Sequence, residues 1–276
     1  MADSQNKYQI STFSTLPAEI RTTILEYVFS TTSNNSTSLT KTSSGSICMN
    51  ETYKSSQNLL PLLVCRTWYQ DASLIAFNHT PFLVSNPFCD IPSRLTTLLH
   101  TKQISAIRSL AFVADKRHFR KLSEWSNHPF GIPTLNLSTL TIILHRSSSW
   151  HYMFDYTSDI VHLLRILRNV KRLVFVKNSA MVKGSFRSWF NRLVGLILKI
   201  DHQERYDRIP PNLEKTWWRW EFDDVGERFW LEAGEPKEFV DEESYMRGIL
   251  PLMEGLRDSV ELEEVNPDVR ATRMYY

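Results

Sequence analysis

Apolar residues near the start of the chain repeat at intervals of three and four, the period of one helix face. The positions that share this face are Leu16, Ile20, Ile24, Tyr27 and Val28. Pro17 falls in the first turn, where a missing N–H group is tolerated. The pattern predicts a helix over residues 16–29. Because one short amphipathic helix cannot bury its apolar face alone, this helix needs a partner in this chain or in another.

The segment that follows is almost entirely polar. Residues 30–46 contain 12 Ser or Thr among 17 positions, so little of this stretch can be buried. We expect a disordered Ser/Thr-rich insertion at 30–57. Residues 1–12 are also polar and are expected to form a flexible tail.

Helical periodicity resumes in the segment NLLPLLVCRTWYQDASLIAF. One stripe at helical spacing contains Leu62, Cys65, Tyr69, Ala72 and Ala76, widened by Leu63, Trp68 and Ile75. The segment TPFLVS then predicts a short strand, and IPSRLTTLLHT predicts another helix. We expect Cys65 to be a core residue rather than a nucleophile.

Three β-rich segments in the middle of the chain recur at a regular period. The segments IRSLAFVA, LSTLTIILH and VKRLVFVKN begin their apolar runs at Leu110, Leu140 and Leu173, at spacings of 30 and 33 residues. Helix-like stretches such as SDIVHLLRILRN separate them. Strand–helix units at this period predict a small parallel sheet, either curved like a leucine-rich solenoid or flat in an α/β layer.

The C-terminal quarter predicts a hairpin between two helices. Residues 185–200 form an amphipathic pattern, and residues 216–233 alternate around an Asp-Asp-Val-Gly turn. The closing helix starts with acidic residues, and we expect a kink or break near Pro251.

The predicted fold is therefore α+β, with four regions. A flexible tail occupies 1–12, and a helical unit that carries the insertion occupies 13–85. An α/β repeat-like region follows at 86–210. An acidic, Trp-rich hairpin and helix at 211–276 is expected to pack on it.

The composition argues against a membrane protein, a secreted protein and a zinc-binding module. The 276 residues contain no run of 18 apolar positions, and the N-terminus is polar, so a membrane span and a secretory signal are not expected. Three cysteines without a CxxC spacing argue against a disulfide framework and a zinc module. We expect a cytosolic or nuclear protein.

Charge is distributed unevenly along the chain. Residues 101–200 carry 16 Lys/Arg against 4 Asp/Glu, whereas residues 201–276 carry 10 against 20. The two segments either neutralise each other in the fold or leave a basic face for an acidic partner.

The sequence offers no coherent catalytic constellation. Phosphate-binding loops and the HExxH, GxSxG and kinase signatures are absent, and neither a cofactor nor a metal is expected. Two polar groups could form sites, but a solvated face is the favoured interpretation of both. They are Asp155, Asp159 and His162, and the pair His145 and His151. The hairpin also carries an aromatic and cationic group that could stack on bases: Trp217, Trp218, Arg219, Trp220 and Trp230. Packing within the hairpin is the favoured interpretation, because the surrounding acidic residues would repel phosphate.

Two motifs in order resemble the F-box. FSTLPAEIRTTILEYVF is followed by LLPLLVCRTWYQDA, and the closest resemblance is to fungal F-box-like proteins, whose pattern is LP-x-EIR, then LLxxCRxxYxxA, then a TxF strand. The matching residues in the second half are Leu62, Leu63, Cys65, Arg66, Tyr69, Ala72, Thr80 and Phe82. The resemblance covers about residues 13–85. It departs from the family in spacing, because the insertion places Leu16 and Val64 48 residues apart.

The resemblance implies a non-enzymatic adaptor that recruits a target protein, of unknown identity, to a Skp–cullin–F-box ubiquitin ligase. It implies contacts with the Skp-type linker subunit from Leu16, Pro17, Glu19, Ile20, Ile24, Val64, Cys65 and Trp68. In the competing interpretation Leu16, Pro17, Ile20 and Ile24 are buried within the chain against Leu62, Leu63, Cys65 and Trp68.

A stand-alone interaction module that has lost linker binding is the alternative function. Nucleic-acid binding through the basic middle segment is a distant third, because its cations are scattered over several elements.

Overall fold

The computed structural model describes residues 13–35, 37–147 and 150–265, so the predicted tail at 1–12 lies outside the described residues. The helices are α1 (Ala18–Asn35), α2 (Ser55–Asn58), α3 (Arg66–His79), α4 (Ile91–Leu98), α5 (Thr101–Ala106), α6 (Lys116–Lys121), α7 (Thr157–Ile166), α8 (Phe186–His202) and α9 (Glu242–Val265). The strands are β1 (Leu39–Lys41), β2 (Ile47–Met49), β3 (Pro81–Val84), β4 (Ser109–Ala114), β5 (Leu137–Leu144), β6 (Val170–Val176), β7 (Trp217–Asp223) and β8 (Arg228–Gly234). The chain is thus a mixed α/β fold.

A six-stranded mixed sheet with the order β3-β4-β5-β6-β8-β7 forms the centre of the molecule. The first four strands are parallel, and the predicted hairpin adds β8 and then β7 antiparallel at one edge. The repeated leucines are direct neighbours, since Leu110 pairs with Leu140 and Leu140 with Leu173. The parallel sheet and the hairpin predicted from the sequence are confirmed. The sheet takes strands from all three of the predicted regions beyond the tail.

The two faces of the sheet are covered differently. Alternate strand residues such as Phe112, Ile142 and Phe175 point into the main core, which the helices complete. The residues between them, including Ile143 and Val176, form a second, smaller core. Because both faces are buried, these strands are almost continuously apolar, as is usual for parallel sheets.

The β1–β2 hairpin covers the second face, and the prediction of a disordered insertion at 30–57 is wrong there. Ile47 packs on the second core with Leu39 and Met49. Its N–H donates to the Gly226 carbonyl at 2.9 Å, and Met49 N–H donates to Asn178 Oδ1 at 2.9 Å. These three apolar side chains are enough to order the segment, because they pack against the second face of the sheet.

The C-terminal helix differs from its prediction at one point. Helix α9 runs from Glu242 to Val265 without a break at Pro251. The proline removes one intrahelical hydrogen bond to the carbonyl of Arg247. Both residues are exposed, so water can satisfy that carbonyl and the helix continues.

Ion pairs join the basic middle segment to the acidic end. The clearest examples are Lys177 with Glu227 at 2.5 Å and Arg187 with Asp224 at 2.5 Å. The pairs Arg165–Asp201 and Arg172–Glu232 connect the same two segments. These contacts favour the interpretation that the two segments neutralise each other in the fold.

Candidate functional site

Helix α1 has a buried face and an exposed apolar face. Leu25 and Phe29 are fully buried in the main core. Ile20, Ile24 and Tyr27, spaced by four and three residues, lie on a different face, and 49% of Ile20 and 74% of Tyr27 are exposed. A helix that anchors itself through one stripe and presents a second apolar stripe to water is typical of a partner-docking element.

Helices α1 and α3 lie side by side and run in the same direction. The ring of Phe13, just before α1, lies 4.6 Å from that of Trp68 near the start of α3. Further along, Arg21 contacts Asp71 at 2.9 Å. Ser30 and His79 are 3.5 Å apart near the ends of both helices. The residues that precede α3 therefore lie near the start of α1.

The turn before α3 adds further exposed apolar residues at this end. Leu60–Leu63 forms a 3₁₀ turn, and within it only Leu62 is buried. The exposed fraction is 78% for Leu63 and 71% for Val64. The prediction that Leu63 widens a buried stripe is wrong, because the helical periodicity stops at this turn and α3 begins only at Arg66.

The structure leaves most of the predicted linker-contacting residues accessible. Leu16 and Trp68 are half-buried, and exposed residues make up the rest of the set: Pro17, Glu19, Ile20, Ile24, Val64 and Cys65. The interpretation in which Leu16, Pro17, Ile20 and Ile24 all bury within the chain is therefore wrong for Pro17, Ile20 and Ile24. Leu25 and Phe29 anchor the helix instead.

Local contacts fix this end of the molecule. Pro17 precedes α1 by one residue, and its carbonyl accepts from Arg21 N–H at 3.1 Å. Cys65 is the N-cap of α3, and its Sγ accepts from Trp68 N–H at 3.4 Å. The predicted core position of Cys65 is wrong, because a cap residue stands outside the helix and its side chain is exposed here. The Trp68 indole N–H is buried and has no hydrogen-bond partner within the described part of the chain.

The two polar groups singled out in the sequence differ in their exposure to solvent. Asp155, Asp159 and His162 are all exposed, as the solvated-face interpretation predicts. The solvated-face interpretation is wrong for His151, which is buried: its Nε2 donates to the His145 carbonyl at 2.8 Å, and burial lowers its pKa. Among the described residues, no group of three or more His, Cys, Asp or Glu side chains could hold a metal ion.

The tryptophans of the β7–β8 hairpin serve packing. Trp218 is buried, and its indole N–H donates to the Leu164 carbonyl at 2.8 Å. Trp217 meets Trp220 edge-on at 5.7 Å, with Lys237 Nζ 3.8 Å above the Trp217 ring. Packing within the hairpin, rather than a base-stacking surface, is therefore the better description of these side chains.

A buried ionic cluster lies between α8 and α9, and the sequence pattern did not indicate it. The Arg205 guanidinium, fully buried, donates to both oxygens of Asp201 at 3.0 Å and to Glu214. Tyr245 Oη donates to Asp201 at 2.6 Å. Four residues from three separate stretches of an acidic segment meet here, and only the Asp201–Arg205 spacing of four is visible in the sequence.

The cluster shifts the pKa values of its members in different directions. Burial alone would raise the pKa of Asp201, but hydrogen bonds from its neighbours and the charge of Arg205 lower it overall. Burial and the adjacent Asp201 carboxylate raise the pKa of Glu214. Burial and the bond to Asp201 raise the pKa of Tyr245 well above its usual range. Because every member is enclosed, the cluster holds α9 on α8 and does not form an accessible reaction site.

Comparison with protein-family models, with curated proteins and with solved structures finds no match for this chain. Among the described residues, none of the helices combines the length and the apolar character needed to cross a membrane.

Proposed function

We propose that this chain is a non-enzymatic F-box-like adaptor that recruits a target protein to a Skp–cullin–F-box ubiquitin ligase. The exposed apolar stripe of α1, directly after the Leu-Pro start, is the observation that carries this proposal. Leu63 and Val64 extend the apolar surface at the same end of the molecule. The Skp-type linker subunit is the proposed occupant.

The exposed stripe supplies enough apolar surface to matter for binding. Full burial of an aliphatic or aromatic side chain contributes about 1.5–3 kcal/mol. Ile20 and Ile24 are already partly buried, so a partner that covers them gains roughly 1 kcal/mol from each. Tyr27, Leu63 and Val64 are more exposed and have more to gain.

The long insertion is compatible with docking. The spacing of 48 residues between Leu16 and Val64 is filled by a hairpin that packs on the second face of the sheet, against Ile143 and Val176. With that hairpin in place, Ile20 and Tyr27 remain exposed. The insertion therefore leaves the proposed docking surface open.

The rest of the chain is the proposed target-binding platform. We propose that the four parallel strands and their connections act as a short leucine-rich-repeat-like layer, with the loops at the strand ends available for contacts. Loops on a rigid scaffold are where proteins most often place recognition residues.

Co-purification with the linker subunit tests the proposal. We expect the full-length chain, co-expressed with that subunit, to retain it, and Val64→Asp to lose it, because a carboxylate in an apolar interface is costly to desolvate. The matched control is Val265→Asp, since the exposed fraction of Val265 is 78% but it lies at the end of α9. If the unmodified chain fails to retain the subunit, the adaptor role is excluded and the stand-alone interaction module takes its place.

A further inference from the structure

Loops at the carboxyl-terminal ends of β3 and β4 enclose a cavity. Residues 87–92 follow β3, and helix α6 with the 3₁₀ turn Leu122–Trp125 follows β4. The cavity has a volume of about 150 Å³. An apolar cavity of about this volume accommodates one benzene ring. In sheets of parallel strands, the crevice outside the carboxyl ends is also where ligands most often bind.

The floor of the cavity is aromatic and apolar. Ile91, Trp125 and Phe130 line it, and each is buried. The Trp125 and Phe130 rings are 4.5 Å apart, and Phe112 meets Phe130 edge-on at 5.5 Å. Aromatic rings gain from tilted and edge-to-face contacts at these distances. The floor therefore favours a further planar ring over an aliphatic chain.

Two residues next to this floor have unfavourable backbone conformations. Phe130 has φ 56° and ψ 18°, and Ser126 has φ 52° and ψ −119°. Positive φ is uncommon for residues with a side chain and is a genuine outlier for a bulky one. Such conformations persist where the surrounding structure enforces them, and they cluster at ligand sites. The segment 126–130 thus keeps the Phe130 ring against the cavity at the expense of its own backbone.

The rim of the cavity carries charge. Arg117, His118 and Lys121 line it, together with one carboxylate, that of Asp90. Asp115 already engages Arg117 at 2.7 Å and His118 at 2.9 Å. Lys121 is exposed and has no ion-pair partner within the described ranges, so its charge is available at the mouth of the cavity.

We propose that this cavity binds an aromatic ring that bears a carboxylate. The ring packs on Trp125 and Phe130, and the carboxylate lies beside Lys121. A free aromatic acid and the C-terminal aromatic residue of a peptide share this chemistry. The proposal does not depend on the docking role of α1.

Ligand-observed NMR with matched probes tests the site. The probes are 3-phenylpropanoate and 3-phenylpropanamide, which differ only in the charge of the terminal group. For so small a ligand we expect a Kd on the order of 1 mM for the acid. The amide should bind about threefold more weakly, because an exposed charge pair contributes little. Acetyl-Gly-Gly-Phe with a free or an amidated C-terminus distinguishes the two sources: tighter binding of the free-acid peptide than of phenylpropanoate indicates a peptide ligand, and the reverse indicates a free acid.

Two variants locate the binding. Lys121→Gln should remove the difference between acid and amide and leave the amide unaffected. Ile91→Phe should fill the cavity and abolish binding of both, with an unchanged melting transition as the check on folding. The proposal is overturned if neither probe binds at about ten times the expected Kd, if the wild-type chain binds acid and amide equally, or if Ile91→Phe binds as well as wild type.

Cysteine labelling gives a second measurement on the unmodified chain. Cys89 lines the cavity, whereas Cys65 is exposed at the start of α3 and is not among the lining residues. Saturating 3-phenylpropanoate should slow alkylation of Cys89 several-fold and leave Cys65 unchanged. Equal rates at Cys89 with and without the acid contradict the proposal even if Ile91→Phe does not fold.

Discussion

The Arg21 guanidinium lies 2.9 Å from the carboxylate of Asp71 and also donates to the Leu16 carbonyl at 2.8 Å. One side chain thus joins the Leu-Pro start, the first turn of α1 and the middle of α3. Together with the Phe13–Trp68 and Ser30–His79 contacts, this pair shows that the two helices run in the same direction, which places the start of α1 at the same end as Leu63 and Val64. The docking proposal depends on this alignment.

Breaking the Arg21–Asp71 pair should loosen this end of the molecule. Both side chains are partly exposed, so Asp71→Asn is expected to lower the free energy of unfolding by about 0.5–1 kcal/mol. Urea unfolding measures the change, and a double-mutant cycle with Arg21→Gln isolates the pair. Glu51→Gln is the control, because Glu51 forms a more exposed pair with Arg146. An equal loss in both variants would show that the Arg21–Asp71 contact has no special role.

The β1–β2 hairpin should stabilise the sheet. Ile47 is buried on the second face, so Ile47→Ala is expected to lower the free energy of unfolding by about 2–4 kcal/mol. Thr40→Ala, an exposed position on β1, should change it by less than about 0.5 kcal/mol. Thermal or urea unfolding measures both. Equal, small effects would mean that the hairpin does not rest on the sheet in solution.

The buried cluster should depend on Tyr245. Its hydroxyl donates to the Asp201 carboxylate at 2.6 Å, and hydrogen bonds to a charged group contribute about 1.5–3 kcal/mol. Tyr245→Phe should therefore lower the free energy of unfolding by a similar amount. Tyr152→Phe is the control, since this tyrosine is exposed and its contact with Lys183 involves the ring, which Phe keeps. If the two variants unfold at the same urea concentration as wild type, the cluster does not hold α9.

Acid sensitivity should depend on Asp115. Burial alone would raise the pKa of this carboxyl, but hydrogen bonds from Arg117 and His118 lower it to about 2. A depressed pKa contributes stability above the unfolded-state pKa of about 4, and that stability is lost as the pH falls toward 2. Asp115→Asn should therefore flatten the decline in stability between pH 4 and pH 2. Urea midpoints across this range measure the slope, and an identical slope in both proteins would contradict the assignment.

Periodicity predicted the elements whose apolar residues are numerous. Leu110, Leu140 and Leu173 mark strands that pair in register, because each strand is buried on both faces and its sequence is constrained along its whole length. The hairpin at 39–49 was missed since Ile47 and its two apolar neighbours are too few to stand out among hydroxyl residues. The sheet face on which the hairpin packs exists only after the sheet has formed.

The candidate site was predictable to a similar extent. The Leu-Pro start and the stripe of Ile20 and Ile24 indicated a docking helix, but not which of its faces is buried. Leu25 and Phe29 decide that, and they lie off the stripe seen in the sequence. The Phe130 cavity was not predictable, because its shape depends on a backbone conformation that aromatic residues rarely adopt.

Titration calorimetry with the purified Skp-type linker subunit tests the central claim most directly. The variants are Ile20→Asp on α1 and Leu250→Asp on α9, chosen because the two side chains are 49% and 52% exposed on helices. We predict that the wild-type chain and Leu250→Asp bind with the same Kd, and that Ile20→Asp binds at least about 100-fold more weakly, as expected for a carboxylate placed in an apolar contact. Absence of binding by the wild-type chain, or equal binding by Ile20→Asp, would contradict the account.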